Sequence, residues 1–150
     1  MPIHFTQSQV RKVLNLQPET MRHWRKVLPP LARRTRRAPF TQGDMVALAA
    51  IKELVRTAGV NSSTLAPCAA SIFTLCNGKP WHALAQYRLQ IEGASVQLLP
   101  LRTFPALSKS PLILLLLGPI IEELRQGLLG DEGDQSELKF PLAVLRRQKQ

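Results

Sequence analysis

Along the first 66 residues the apolar positions recur with helical period. Val10, Val13 and Leu14 share one face of a helix that starts at Gln7, and Thr6 with Gln9 gives the Thr-x-x-Gln capping-box pattern at its start. The helix ends near Leu14, because Asn15 tolerates the left-handed conformation of a tight turn. Pro18 suits the first position of a second helix, where its missing N–H costs nothing. Met21, Trp24 and Leu28 recur in it at three and seven residues and face inward, while Glu19, Arg22, His23 and Lys26 occupy the other face, flanked by Thr20 and Arg25. Pro29-Pro30 stops this helix. Residues 31–40 contain Arg33, Arg34, Arg36 and Arg37 without helical periodicity and read as an arginine-rich wing, either a hairpin or an extended loop. Thr41, with Asp44 three residues on, caps a third helix whose buried stripe is Met45, Leu48, Ile51, Leu54 and Val55, and Gly59 ends it. A fourth element begins at Asn61 or Ser62 and is apolar almost all round from Leu65 to Leu75, with Pro67 bending its first turns.

Beyond Lys79-Pro80 the period changes. Tyr87, Leu89 and Ile91 alternate with Arg88, Gln90 and Glu92, as in a half-buried strand. Gly93-Ala94-Ser95 is a turn, and residues 96–101 return as a second strand. Residues 112–117 read as a fully buried strand. Pro119 opens a helix with Ile120, Ile121, Leu124 and Leu128 on one side, acidic residues Glu122 and Glu123 near its start, and Gly130 after its end. Residues 131–137 are polar and read as loose, and 145–150 are basic, either frayed or a second nucleic-acid contact. The fold expected is mainly α with a small β component: a winged helix-turn-helix domain over residues 1–78, a small α+β region over 79–130, and a polar to basic tail over 131–150.

Charge changes the picture more than composition does. The chain has 150 residues, enough for one domain with a core of its own, and 45% of them are apolar. Lys and Arg number 20 against 10 Asp and Glu, for a net charge of +10 and a sequence pI of about 10.6. Residues 1–67 hold 11 basic and 3 acidic side chains, and residues 68–150 hold 9 and 7. A basic front and a near-neutral back suggest a polyanion-binding module joined to something else. Two cysteines make no disulfide framework, no apolar run reaches a membrane span, and no apolar signal core stands near residue 1, so a cytoplasmic location is expected.

Two short helices joined by Asn15-Leu16-Gln17 have helix-turn-helix spacing, in which the second helix can lie in a major groove. With the basic segment, third helix and Gly59 that follow, residues 5–66 resemble the DNA-binding domain of the mercury-resistance (MerR) type of regulators. Gln17-Pro18-Glu19-Thr20-Met21-Arg22-His23-Trp24 looks like that family's Ser-Pro-x-Thr-Leu-Arg-Tyr-Trp/Tyr segment. Leu28-Pro29-Pro30 followed by arginines looks like the start of its wing, and Phe40-Thr41-x-x-Asp44 is similar to the opening of its third helix. Asn15 replaces the usual turn Gly, Gln17 the usual capping Ser, and Arg25 the common Glu. Ala38-Pro39 stands in place of the wing's Gly-Tyr/Arg pair, and Pro67 and Pro80 interrupt the long helix through which family members pair.

The resemblance implies a sequence-specific regulator of transcription that binds double-stranded DNA in a bacterial nucleoid, with RNA polymerase or a recombinase as a further partner. Expected DNA-binding residues are Glu19, Thr20, Arg22, His23, Arg25, Lys26, Arg33, Arg34, Arg36 and Arg37. Within that face Arg22 and His23 are assigned to base edges or nearby phosphates and Thr20 to a phosphate, with the division left open. Binding a two-fold operator implies a homodimer, for which residues 112–129 are the candidate surface. The alternative is that this strand and helix complete one chain's own core. Two other readings of the function stand beside this one: an excisionase-like factor that bends DNA for a recombinase, and a protein–protein adaptor with an incidental basic face.

Trp24 aligns with Met21 and Leu28 and reads as core rather than as a stacking platform. His4, His23 and His82 are scattered. Cys68 and Cys76 lie eight residues apart, about 12 Å along a helix, and read as buried structural thiols rather than a metal pair. Adjacent Glu122 and Glu123 diverge on a helix, and no phosphate-binding glycine loop occurs. No enzymatic activity, cofactor or metal is expected.

Overall fold

The computed structural model of the chain describes residues 3–35, 37–106 and 109–136. A two-residue strand, β1 (His4–Phe5), leads into α1 (Gln7–Leu14). Both halves of the capping box form: Gln9 N–H donates to Thr6 Oγ1 at 3.1 Å, and Thr6 N–H donates to Gln9 Oε1 at 2.8 Å. Asn15 takes the left-handed conformation at φ 56°, and α2 (Pro18–Val27) follows after Leu16 and Gln17. Met21, Trp24 and Leu28 are buried as their spacing requires.

The start of the arginine-rich segment differs from the expectation of a stretch without helix. Pro29-Pro30 not only ends α2 but opens a one-turn helix, α3 (Pro29–Ala32), since both prolines occupy first-turn positions that need no N–H. Leu31 is thereby carried into the core. The segment then runs directly into β2 (Phe40–Thr41), which pairs antiparallel with β1, Phe5 opposite Phe40. The helix that follows, α4 (Gln42–Arg56), starts with a second complete capping box between Thr41 and Asp44. It ends at Thr57, two residues before Gly59, whose φ of 70° serves the turn beyond.

A 3-10 turn (Ser62–Leu65), capped by Asn61, feeds α5 (Ala66–Asn77), where Pro67 lies in the first turn and begins the helix. At Gly43 a Cβ would lie 2.6 Å from Asn77 Cα, so the close approach of α4 to α5 requires glycine there. A short helix, α6 (Trp81–Leu84), was not legible in the sequence; Trp81 Nε1–H donates to Gln42 O at 3.0 Å and ties it to the start of α4.

Three strands form one antiparallel sheet in the order β4-β3-β5: β3 (Tyr87–Glu92), β4 (Ser95–Pro100) and β5 (Ile113–Leu116). Ile91 opposes Val96 and Ile113, and Leu89 opposes Leu98 and Leu115, so these six share the core-facing side. The expectation of a fully buried strand at 112–117 is corrected. As an edge strand with one face outward, β5 leaves Leu114 40% and Leu116 49% exposed.

The last helix, α7 (Leu117–Ser136), starts two residues before Pro119 and runs past Gly130 through residues expected to be loose. A glycine inside a helix costs about 1 kcal/mol relative to alanine, too little to end one whose first three turns are anchored by Leu117, Ile120, Ile121 and Leu124. Gly127 also has a packing role: a Cβ there would come within 3.2 Å of Val13 Cγ1, so its absence lets α7 lie close against α1. Packing of α7 on α4 and α1 makes the core continuous from Phe5 to Leu124, across the Lys79-Pro80 turn. No helix among the described residues is long and apolar enough to cross a membrane. The basic stretch 145–150 lies outside the described residues.

Candidate nucleic-acid interface

Burial of Met21 and Trp24 fixes the rotation of α2, and that rotation turns Glu19, Arg22, His23 and Lys26 to solvent with Thr20 half-buried beside them. Arg33 and Arg37, in the connection between α3 and β2, are exposed as well. Arg36 lies outside the described residues. Five cationic or cationisable side chains are therefore presented by one helix and the segment next to it.

Two of the expected contact residues make hydrogen bonds within the chain. Arg25 reaches sideways from α2, its Nη1–H donating to Gln7 Oε1 in α1 and its Nη2–H to Arg34 O, both at 3.0 Å. This guanidinium joins α1, α2 and the arginine-rich segment. Arg34 turns inward: its side chain is 19% exposed, Nη2–H donates to Asp44 Oδ2 at 3.1 Å, and Nη1–H donates to Pro39 O at 2.8 Å. Its guanidinium carbon stands 4.7 Å from the centroid of the buried Phe40 ring, at cation–π distance.

Asp44 is the hub of that network. Its buried carboxylate accepts from Thr41 N–H at 3.0 Å, from Arg34, and from Asn77 Nδ2–H at 2.9 Å. The same residue caps α4, pairs the arginine and fastens α5. Sequence reasoning identified Asp44 only as a capping partner. The signal for more was an acidic residue at the head of the apolar run 45–51, where burial of a carboxylate demands a cation.

Arg37 shares a surface depression of about 420 Å³ with His4, Phe5, Thr6, Gln7 and Ser8. The first turn of α1 thus lies beside the arginine-rich segment. At the other end of α1, Lys52 donates to Leu14 O and braces the helix from α4. Burial and the neighbouring Arg56 lower the pKa of that ammonium.

Cys68 and Cys76 are both buried. The Cys68 thiol donates to Gly93 O at 3.4 Å, and burial raises its pKa. Burial, with the Asp44 carboxylate as a smaller contributor, pushes the Cys76 thiol up to about 12. Neither has the environment of a reactive thiolate. Among the described residues no group of three His, Cys, Asp or Glu side chains is placed to hold a metal ion. No protein-family model matches the chain, and none of the curated proteins matches it.

Proposed function

We propose that the chain is a sequence-specific double-stranded DNA-binding regulator of transcription that acts as a homodimer on a two-fold operator. The observation that carries this reading is the presentation of Arg22, His23 and Lys26 on the exposed face of α2, with Arg33 and Arg37 on the segment that Arg25 holds against it. Side chains at helical spacing on a free face can enter a major groove. Arginines on an adjoining segment can neutralise phosphates or enter the neighbouring minor groove.

In this mechanism Arg22 and His23 read base edges, and Lys26, Arg33 and Arg37 contact phosphates. Thr20 donates to a phosphate, and Glu19 accepts from a base edge. Arg25 and Arg34 are positioning residues, which fix the angle between α2 and the arginine-rich segment without touching DNA. The ordering is economical, because the contacts that hold the segment are made before DNA arrives.

Selection of duplexes from a random library at about 0.15 M salt, followed by footprinting of those retained, tests the reading. A single recovered motif with dyad symmetry supports it. Repeated direct sites would instead favour a DNA-bending factor for a recombinase, and failure to retain duplex would leave the basic face unused and overturn the proposal.

A further inference from the structure

We infer that the free edge of β5 pairs antiparallel with β5 of a second copy of this chain, extending the sheet across a two-fold axis to β4-β3-β5-β5-β3-β4. This rests on the homodimer of the proposed function and names its surface, but it stands on the sheet alone and is tested without DNA. In the sheet order β4-β3-β5, only one side of β5 is paired among the described residues. An unpaired edge offers a row of N–H and C=O groups to another strand, and folded chains ordinarily protect such edges with charge, proline or a bulge. The opposite edge has such a device, since β4 ends in Pro100. In β5 the four paired residues are Ile113, Leu114, Leu115 and Leu116, in unbroken register with β3 from Ile91 to Arg88. No charged residue occurs from Ser110 to Ile121.

A second copy fits this edge better than other occupants do. Antiparallel self-pairing sets leucine against leucine or isoleucine and brings no like charges together. It also joins the outward Leu114 and Leu116 of both copies into one apolar patch. A groove of about 420 Å³ beside the edge is walled by Glu53, Arg56 and Glu123, two carboxylates to one guanidinium, which disfavours nucleic acid there. From Leu117 to Ser136, α7 carries the chain about 28 Å along its axis from the end of β5, whereas β5 of a second copy can reach the edge directly. A short run of strand pairing and two leucines from each copy place the interface at the small end of specific contacts, so the dimer forms reversibly with concentration.

Sedimentation of the full chain across the micromolar range, with amide hydrogen exchange at the high end, tests this. Expected are a monomer–dimer equilibrium and protection of the β5 amides that grows with concentration. Leu114→Lys with Leu116→Lys should weaken self-association more than tenfold, and so should Leu114→Glu with Leu116→Glu. An equimolar mixture of the two should dimerise again, which a mere folding defect would not allow. A monomer whose β5 amides are protected at every concentration would mean that the chain's own tail covers the edge. A monomer with unprotected β5 amides, or a dimer indifferent to both variants, would equally overturn the proposal. Binding of single-site duplex by the Lys pair is measured separately, so loss of the dimer and failure of DNA binding are told apart.

Discussion

Replacing Asp44 with alanine should be among the most damaging single changes in the first half of the chain, and the cost follows from its contacts. Its carboxylate accepts from the Thr41 N–H at 3.0 Å, and that half of the capping box contributes about 1 kcal/mol. Hydrogen bonds to a charged group are worth about 1.5–3 kcal/mol each, and the carboxylate makes two more, with Arg34 at 3.1 Å and Asn77 at 2.9 Å. The three share one carboxylate and do not add in full. Loss of the anion also leaves the Arg34 guanidinium, 19% exposed, with Pro39 O and the face of Phe40 as its remaining partners among the described residues. Breaking one side of a buried pair costs about 3–5 kcal/mol, and that is the loss expected for Asp44→Ala. Urea unfolding followed by circular dichroism measures it as a lower midpoint at unchanged slope. In a double-mutant cycle with Arg34→Met, the coupling should be about 1.5–3 kcal/mol. A loss below about 1 kcal/mol, or no coupling to Arg34, would refute the claim that this ion pair anchors the arginine-rich segment.

Arg22→Ala should lower affinity for a selected duplex by about 1–3 kcal/mol and leave random duplex less affected, as competition binding would reveal; equal losses would make it a phosphate contact. Arg33→Ala with Arg37→Ala should weaken all duplexes alike and reduce the slope of log affinity against log salt by about 0.9 for each phosphate no longer neutralised, with no change in the urea midpoint. Gly43→Ala should destabilise strongly because its Cβ would meet the Asn77 backbone at 2.6 Å, and a thermal midpoint equal to wild type would contradict that close approach. The Cys76 thiol is raised from 9.0 to about 12, so the folded chain keeps a proton that the unfolded chain releases. Stability tied to it is complete below pH 9 and is lost as pH rises from 9 towards 12, at up to about 1.4 kcal/mol per pH unit. The stability gap between wild type and Cys76→Ala should narrow across that window, and a gap that stays constant would count against the burial.

Local rules made much of this molecule readable before its structure. Capping boxes at Thr6 and Thr41, the left-handed Asn15 and the inward faces of α1, α2 and α4 follow from residues three or four apart. The Gly93-Ala94 turn and the β3 alternation are equally local. What escaped were outcomes of tertiary contact. Pro29-Pro30 carries a stop signal and a start signal at once, and burial of Leu31 decided for a further helical turn. Gly130 reads as a terminator, but α7 is held from its other end. The exposure of Leu114 and Leu116 depends on β5 being at the edge of the sheet, which strand order determines and sequence pattern does not. Arginine roles were the hardest to separate. Arg33, Arg34 and Arg37 look alike in the sequence, and only the position of Asp44 across the segment turns Arg34 inward while its neighbours remain exposed.

The α2 face and the arginine-rich segment together form the proposed DNA-binding surface. Backbone amide shifts recorded while a selected duplex is titrated into the isotopically labelled protein test it residue by residue. Shifts should concentrate on residues 19–26 and 33–37 and on the first turn of α1, with the β5 edge and the α7 surface unchanged. Shifts confined to the sheet or to α7, or none at saturating duplex, would contradict it.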